Sequence, residues 1–134
     1  KQLALPRIDP ERSDSPMEFR LVSPLQRESA WTQILRGLES HPLGFLQPDA
    51  GQPVVSDLPA NALILVPGRV FDRKGNRLGR GRGYYDSFLS RLPKGVPTVG
   101  VGYAVQLKMS IPTRENDVAV ATVVTDTETC FCRR

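Results

Sequence analysis

Residues 62–103 read as strand, helix, strand, and few folds accommodate that order. Ala62-Leu63-Ile64-Leu65-Val66 is continuously apolar, the pattern of a strand covered on both faces. Residues 84–92 place Tyr85, Phe88, Leu89 and Leu92 on one helical face, and Pro93 and Gly95 end that helix. Residues 98–103 read as a second buried strand. A strand–helix–strand unit brings the second strand back parallel to the first. The expected class is therefore α/β: a three-layer αβα fold with a mainly parallel sheet. Ligands of such sheets sit beyond the carboxyl ends of the strands. The connection over residues 67–83 lies there. It is long for a strand-to-helix loop, and long loops in compact domains tend to carry function. Asp72, Gly75 and Asn76 predict a tight turn inside it.

The flanking segments are less regular. Leu3-Ala4-Leu5 reads as the tail of a buried strand stopped by Pro6, followed by a polar, turn-rich stretch over residues 7–16. Residues 17–22 alternate Met17, Phe19 and Leu21 with Glu18 and Arg20, as in a half-buried strand. Trp31, Ile34, Leu35 and Leu38 recur at helical spacing, predicting a short helix over residues 30–38. Pro42, Pro48 and Pro53 make residues 41–57 mostly loop. A short helix is expected at residues 105–109, before Pro112, and a last strand rich in valine and threonine at residues 118–125. The chain has no internal repeat, and 134 residues fit a single domain.

Composition narrows the classes. No apolar run approaches the roughly 20 residues that span a bilayer. Lys1 to Leu5 leads straight into Pro6 without the apolar core of a signal peptide. The expected location is cytoplasmic, or organellar if a removed N-terminus carried a transit peptide; no membrane partner is expected. Cys130 and Cys132 are one residue apart, so a bond between them would be strained and free thiols are expected. A zinc site would need further ligands, and the single histidine, His41, is remote in sequence. The formal charge is +4, from 18 basic and 14 acidic residues, and Arg77, Arg80 and Arg82 nearly account for it. That balance points to a local anionic ligand rather than a general nucleic-acid surface.

Those arginines sit in Arg77-Leu78-Gly79-Arg80-Gly81-Arg82-Gly83-Tyr84-Tyr85-Asp86. Glycine at every second position allows positive φ. Backbone N–H groups are free where the following helix starts. Two or three charge-assisted hydrogen bonds, each worth roughly 1.5–3 kcal/mol, give useful affinity for a polyanion such as a nucleoside triphosphate. The same string also fits a solvated basic loop. It fits an RNA-binding Arg-Gly tract too, although such tracts are normally longer and disordered. Asp86 either carries a favourable charge at the helix start or holds Mg²⁺ beside phosphates. Magnesium needs few protein carboxylates because phosphate and water complete its shell. Asp117 is the natural second carboxylate. Tyr85 belongs to the core by its spacing to Leu89, whereas Tyr84 faces the loop. Phe71 either covers an aromatic ligand or fills the core.

The string extends upstream through Val66-Pro67-Gly68-Arg69-Val70-Phe71-Asp72 and Gly75-Asn76. Together these residues resemble the 5-formyltetrahydrofolate cyclo-ligase (5,10-methenyltetrahydrofolate synthetase) family. Weaker echoes run through Leu3-Ala4-Leu5-Pro6, Met17-Glu18-Phe19, Gln47-Pro48, Val99-Gly100-Val101-Gly102-Tyr103 and residues 112–118. The resemblance implies a sheet like that of the NagB, RpiA and CoA-transferase proteins. It also implies an enzyme that uses ATP and Mg²⁺ to convert 5-formyltetrahydrofolate to 5,10-methenyltetrahydrofolate. ATP would be bound by Arg77, Leu78, Gly79, Arg80, Gly81, Arg82, Gly83, Tyr84 and Tyr85. The folate would lie against Arg80, Gly81, Arg82, Gly83 and Tyr84. Arg80, Arg82 and Tyr84 would take the catalytic part, and Asp86 and Asp117 the metal. Arg82 stands where family members often carry lysine, which keeps the charge but changes donor geometry. The family also has an N-terminal helical segment before the position of Lys1, which supplies a basic pair for ATP and a glutamate for folate. This chain starts at what looks like the family's second strand. A truncated chain or a separate chain supplying that segment is expected, with inefficient turnover by these residues alone. A cyclo-ligase-like paralogue without folate activity, and a nucleic-acid-binding module, are the competing readings.

Overall fold

The computed structural model describes residues 2–12, 16–24 and 30–132. The turn-rich reading of residues 13–15 and the place of the Trp31 side chain lie outside the described residues. The chain divides into two compact units, Lys1–Leu58 and Pro59–Arg134.

In the first unit, β1 (Gln2–Ile8) pairs antiparallel with β2 (Met17–Pro24), and helix α1 (Ala30–Arg36) follows. β3 (Leu38–Ser40) then pairs antiparallel with β4 (Leu46–Pro48). Met17, Val22 and Ile34 are buried. The strand over residues 17–22 and the helix after residue 30 are present, but their faces differ from expectation: residues 18–21 are all half-buried while Val22 is buried, Leu35 is 58% exposed, and Leu38 belongs to β3. Two further expectations are corrected. β1 does not stop at Pro6: that residue lies inside the strand, opposite Phe19. A strand paired on one side only tolerates a residue without an N–H. Nor is β1 buried; most of its residues are half-exposed. The loop expected over residues 41–57 contains β4, a strand of three residues, too short to show a period.

The second unit contains β5 (Ile64–Pro67), β6 (Val70–Asp72), β7 (Arg77–Leu78), α2 (Tyr84–Leu89) and β8 (Thr98–Val101). A 3-10 turn (Ala104–Gln106), β9 (Leu107–Lys108), β10 (Thr122–Val124) and β11 (Thr129–Phe131) complete it. The main sheet has the order β11-β10-β8-β5. β5, β8 and β10 are parallel, with Ile64 opposite Thr98 and Val99 opposite Thr122, and β11 closes the edge antiparallel. The strand–helix–strand expectation therefore holds, in a mixed sheet. A smaller sheet, β7-β6-β9, is built from the connection itself.

The main sheet buries one face. Ile64, Val66, Thr98, Gly100 and Val123 are buried along it. Leu65, on the other face, is 58% exposed, so β5 is not covered on both sides. Phe71 lies against the buried face, and glycines make the space for its ring. A carbon added at Gly100 would come within 2.5 Å of that ring, and one at Gly68 within 2.6 Å. Phe71 thus fills the core.

The turn expected at Asp72, Gly75 and Asn76 is present and tightly specified. Asp72 is 1% exposed. Its Oδ1 accepts from the N–H groups of Lys74 and Asn76, and its Oδ2 from Asn76 Nδ2 and the Ile111 N–H. Every lone pair this buried carboxylate needs to share is met locally.

The helix expected at residues 105–109 is instead the 3-10 turn followed by β9. The Gln106 side chain accepts from Tyr103 N–H and donates to the carbonyls of Gly68 and Arg69. That bridge holds the ends of the loops after β5 and β8 together, and Val105 and Met109 remain exposed. The last strand is shorter than expected, residues 122–124, and β11 follows it. Among the described residues no helix is long and apolar enough to cross a membrane.

Candidate active site

The glycine-arginine loop joins β7 to α2. Gly81 (φ +82) and Gly83 (φ +68) take the left-handed conformation with nothing within 4 Å of an added carbon. Glycine is required there by backbone angle rather than by space. Gly79 does not share that angle. Arg80 and Arg82 are exposed at the tip. Helix α2 has six residues and ends at Leu89, earlier than residue 92.

Arg77 is different from the other two arginines. Its side chain is 5% exposed, and its Nη2 lies 2.9 Å from Asp86 Oδ1. Neither Nη2 nor Nε has a hydrogen-bond partner, so the pair attracts as charges without an aligned N–H. The guanidinium carbon also lies 5.5 Å from the centre of the Tyr85 ring, within cation–π range. Burial pushes the Tyr85 phenol up from its ordinary pKa, and the charge of Arg77 opposes that shift. Tyr84 and Tyr85 are both half-buried.

Asp86 Oδ1 accepts a second contact, from the Val118 N–H at 3.2 Å. This bond ties α2 to the segment before β10. In that segment Asp117 Oδ2 accepts from the Arg114 N–H at 2.7 Å. A cleft of about 550 Å³ opens here, lined by Gly83, Asp86, Ser87, Arg114, Asn116 and Asp117 among others. Asp86 and Asp117 thus border one cleft, beside the end of the glycine-arginine loop.

The cleft offers oxygen donors of the kind a hard cation takes, Asp86 and Asp117 with Glu115 and Asn116, and with Arg77 and Val118 on Asp86 Oδ1 it is Asp86 Oδ2 that is left for such an ion. Among the described residues no cluster of three or more His, Cys, Asp or Glu could hold a metal by itself. A magnesium ion here would draw its remaining ligands from water and a phosphate chain, as Mg²⁺ ordinarily does. The sequence reasoning did not single out Gln106, which fastens two loops at this end of the sheet. A lone glutamine in an irregular stretch carries no periodic signal.

A mixed α/β sheet, with a basic glycine loop after its first parallel strand and a carboxylate cleft beside it, defines the class of protein. The profile of the 5-formyltetrahydrofolate cyclo-ligase family matches residues 1–126, and the chain belongs to that family. It is 31% identical over 135 residues to the mitochondrial 5-formyltetrahydrofolate cyclo-ligase of Arabidopsis thaliana, covering 93% of this chain and 47% of that protein. It is 32% identical over 111 residues to the Haemophilus influenzae 5-formyltetrahydrofolate cyclo-ligase, covering 70% of this chain and 59% of that one. Among solved structures, the 5,10-methenyltetrahydrofolate synthetase of Aquifex aeolicus superposes with a TM-score of 0.69 at 29% identity, covering 100% of this chain and 60% of that one. The chain therefore spans about half the length of the Arabidopsis relative and 60% of the Aquifex structure.

Proposed function

We propose that this chain carries the nucleotide loop and metal carboxylates of an enzyme that converts 5-formyltetrahydrofolate to 5,10-methenyltetrahydrofolate. The observation that carries the reading is that Asp86 and Asp117 line one cleft together with Gly83, at the end of the loop bearing Arg80 and Arg82. Family membership supplies the substrate. When bound, ATP with Mg²⁺ would supply the activation, giving its γ-phosphoryl group to the formyl oxygen and leaving as ADP, so that N10 could attack the formyl carbon, lose its proton and close the ring as phosphate departs.

The chain's own residues bind and orient. Arg80 and Arg82, exposed on a backbone of glycines, neutralise the phosphate chain, the main requirement of such a site. Residues 77–85 form the ATP-binding loop, with Arg77 at its buried base, and residues 80–84 face the folate side, with Tyr84 beside the reacting groups. Asp86 and Asp117 hold the magnesium ion. The family match spans both compact units, which supports one cyclo-ligase-like domain. A three-layer αβα arrangement, with further helices over the face that bears Leu65, is the matching fold proposal. A cytoplasmic or organellar location, and no nucleic-acid or membrane partner, complete the reading.

The test is the appearance of methenyl-folate absorbance on mixing the longest natural form of the protein with 5-formyltetrahydrofolate, ATP and Mg²⁺. Product should form only when all three are present. Arg80→Ala and Asp86→Ala should each slow it by about 100-fold or more. Near-normal turnover in both variants would remove the assigned roles, and no product at all would remove the activity.

A further inference from the structure

We infer that Arg77 is a positioning residue: through its partly buried ion pair with Asp86 it closes the base of the glycine-arginine loop without touching the nucleotide. This rests on the reading of that loop as the ATP site.

The loop has little else to hold it. Its tip contains Gly81 and Gly83, both at positive φ with open space around them, and the exposed Arg80 and Arg82. Its two ends are Arg77, on β7, and Asp86, in the first turn of α2. The side chains of these end residues meet at 2.9 Å. Closing a flexible span at its base removes most of the conformations its tip would otherwise sample.

The surroundings of Arg77 fit a strut. Its backbone is fixed in the ladder opposite Phe71. Its Nε and Nη2 are shut off from solvent, and Arg77 is not among the residues that line the cleft. The loop passes close over the guanidinium: a carbon added at Gly79 would come within 3.0 Å of Nη1. On its other side the head group lies over the Tyr85 ring. Asp86 then passes the constraint on, because its Oδ1 also holds the Val118 N–H next to Asp117. One partly buried charge pair, with Arg77 5% and Asp86 22% exposed, thus registers three elements: the β6–β7 hairpin, the start of α2, and the segment that carries Asp117. Arg80 and Arg82, exposed in the same string, have no such constraint and remain available to a ligand.

The experiment uses ¹⁵N relaxation on the ligand-free, longest natural form of the protein, together with calorimetric titration by Mg·ATP. Arg77→Gln and Asp86→Asn should each lower the amide order parameters of residues 78–83, to below about 0.6 if the tip becomes free. Those of Gly100 and Gly102 should stay unchanged. The double variant should be no looser than either single one, because both remove the same contact. Arg77→Lys should fall between wild type and Arg77→Gln. Mg·ATP affinity should drop roughly tenfold in Arg77→Gln. If Arg77→Gln weakens ATP while the loop keeps its order, Arg77 touches the nucleotide and the inference is wrong. If the two single effects on loop order simply add, it is also wrong. If the loop loosens as expected but the wild-type chain binds no Mg·ATP, the strut stands and the nucleotide reading falls. Should Arg77→Gln unfold the chain, Asp86→Asn decides: loosening confined to residues 78–83 supports the strut, and an unchanged loop overturns it.

Discussion

Around Phe71, glycine makes room; in the arginine loop it makes an angle. At Gly100 the added carbon would sit 2.5 Å from the Phe71 ring, with no unusual backbone angle involved. At Gly81 nothing lies within 4 Å, but φ is +82. Gly75 combines both constraints: φ is +86, and Val120 O would lie 2.2 Å from a side-chain carbon. The first kind of glycine belongs to packing and sets stability. The second belongs to a surface loop and sets where its arginines go. Substituting each kind should therefore give separable outcomes.

The largest effect is expected at Gly75. The Gly75 carbonyl also accepts the Val120 N–H at 2.9 Å, so the turn and the approach to β10 cannot move apart freely. Gly75→Ala combines left-handed strain of about 1–2 kcal/mol with an overpacking cost of about 1–3 kcal/mol against backbone. A loss of roughly 2–5 kcal/mol in denaturant unfolding should follow. A loss below about 1 kcal/mol would mean the turn relaxes far more easily than its hydrogen bonds suggest.

Gly100→Ala comes next, at about 1–3 kcal/mol. Here the obstacle is a side chain, so it can be relieved. Phe71→Leu alone should destabilise by leaving a void, yet combined with Gly100→Ala the loss should be smaller than the sum of the two. Strict additivity of the two changes would show that the ring is not what Gly100 accommodates.

Gly81→Ala should cost only about 1 kcal/mol, from the backbone angle alone. Gly81→Asn should cost less, because asparagine tolerates that conformation. Equal losses at Gly81 and Gly100 would erase the distinction between the two sets.

The same distinction explains what could be read from the sequence. The central strand–helix–strand unit was legible because residues 62–66 are an apolar run and residues 98–101 a short valine-glycine strand, flanking a helical spacing. The loop was legible as a string because its residues are distinctive together, whereas only the structure shows that Asp86 and Asp117 border one cleft. The strands β3, β4, β6, β7, β9 and β11 were not legible. Each has two or three residues, and each is specified by the partner it meets rather than by its own pattern. Nor could Arg77 be told from Arg80 and Arg82. Three arginines in one basic string look alike until burial separates the first from the others. Leu65, 58% exposed in this chain, belongs here for a related reason: an apolar run shows what could be buried, not what covers it.

Cys132 provides the mildest test, and it probes the Gly75 site from the other side. Its side chain lies against Gly75, with Cβ and Sγ both 3.2 Å from where a carbon on that glycine would be. Burial pushes the Cys132 thiol up to about 11, and the neighbouring Cys130 adds to the shift. A thiol whose pKa is raised by folding is favoured in its neutral form. The associated stability is complete below the ordinary thiol range, near pH 8.5, and is lost as pH rises from there through about 11. Alkylation of Cys132 should therefore be slow at pH 8 and accelerate only towards pH 11. Gly75→Ala, by pushing against the Cys132 side chain, should expose the thiol and shift that acceleration to lower pH. Rapid alkylation of Cys132 at pH 8 in the unaltered chain would show that the turn around Gly75 is open, and the expected ranking of Gly75 above Gly100 would then reverse.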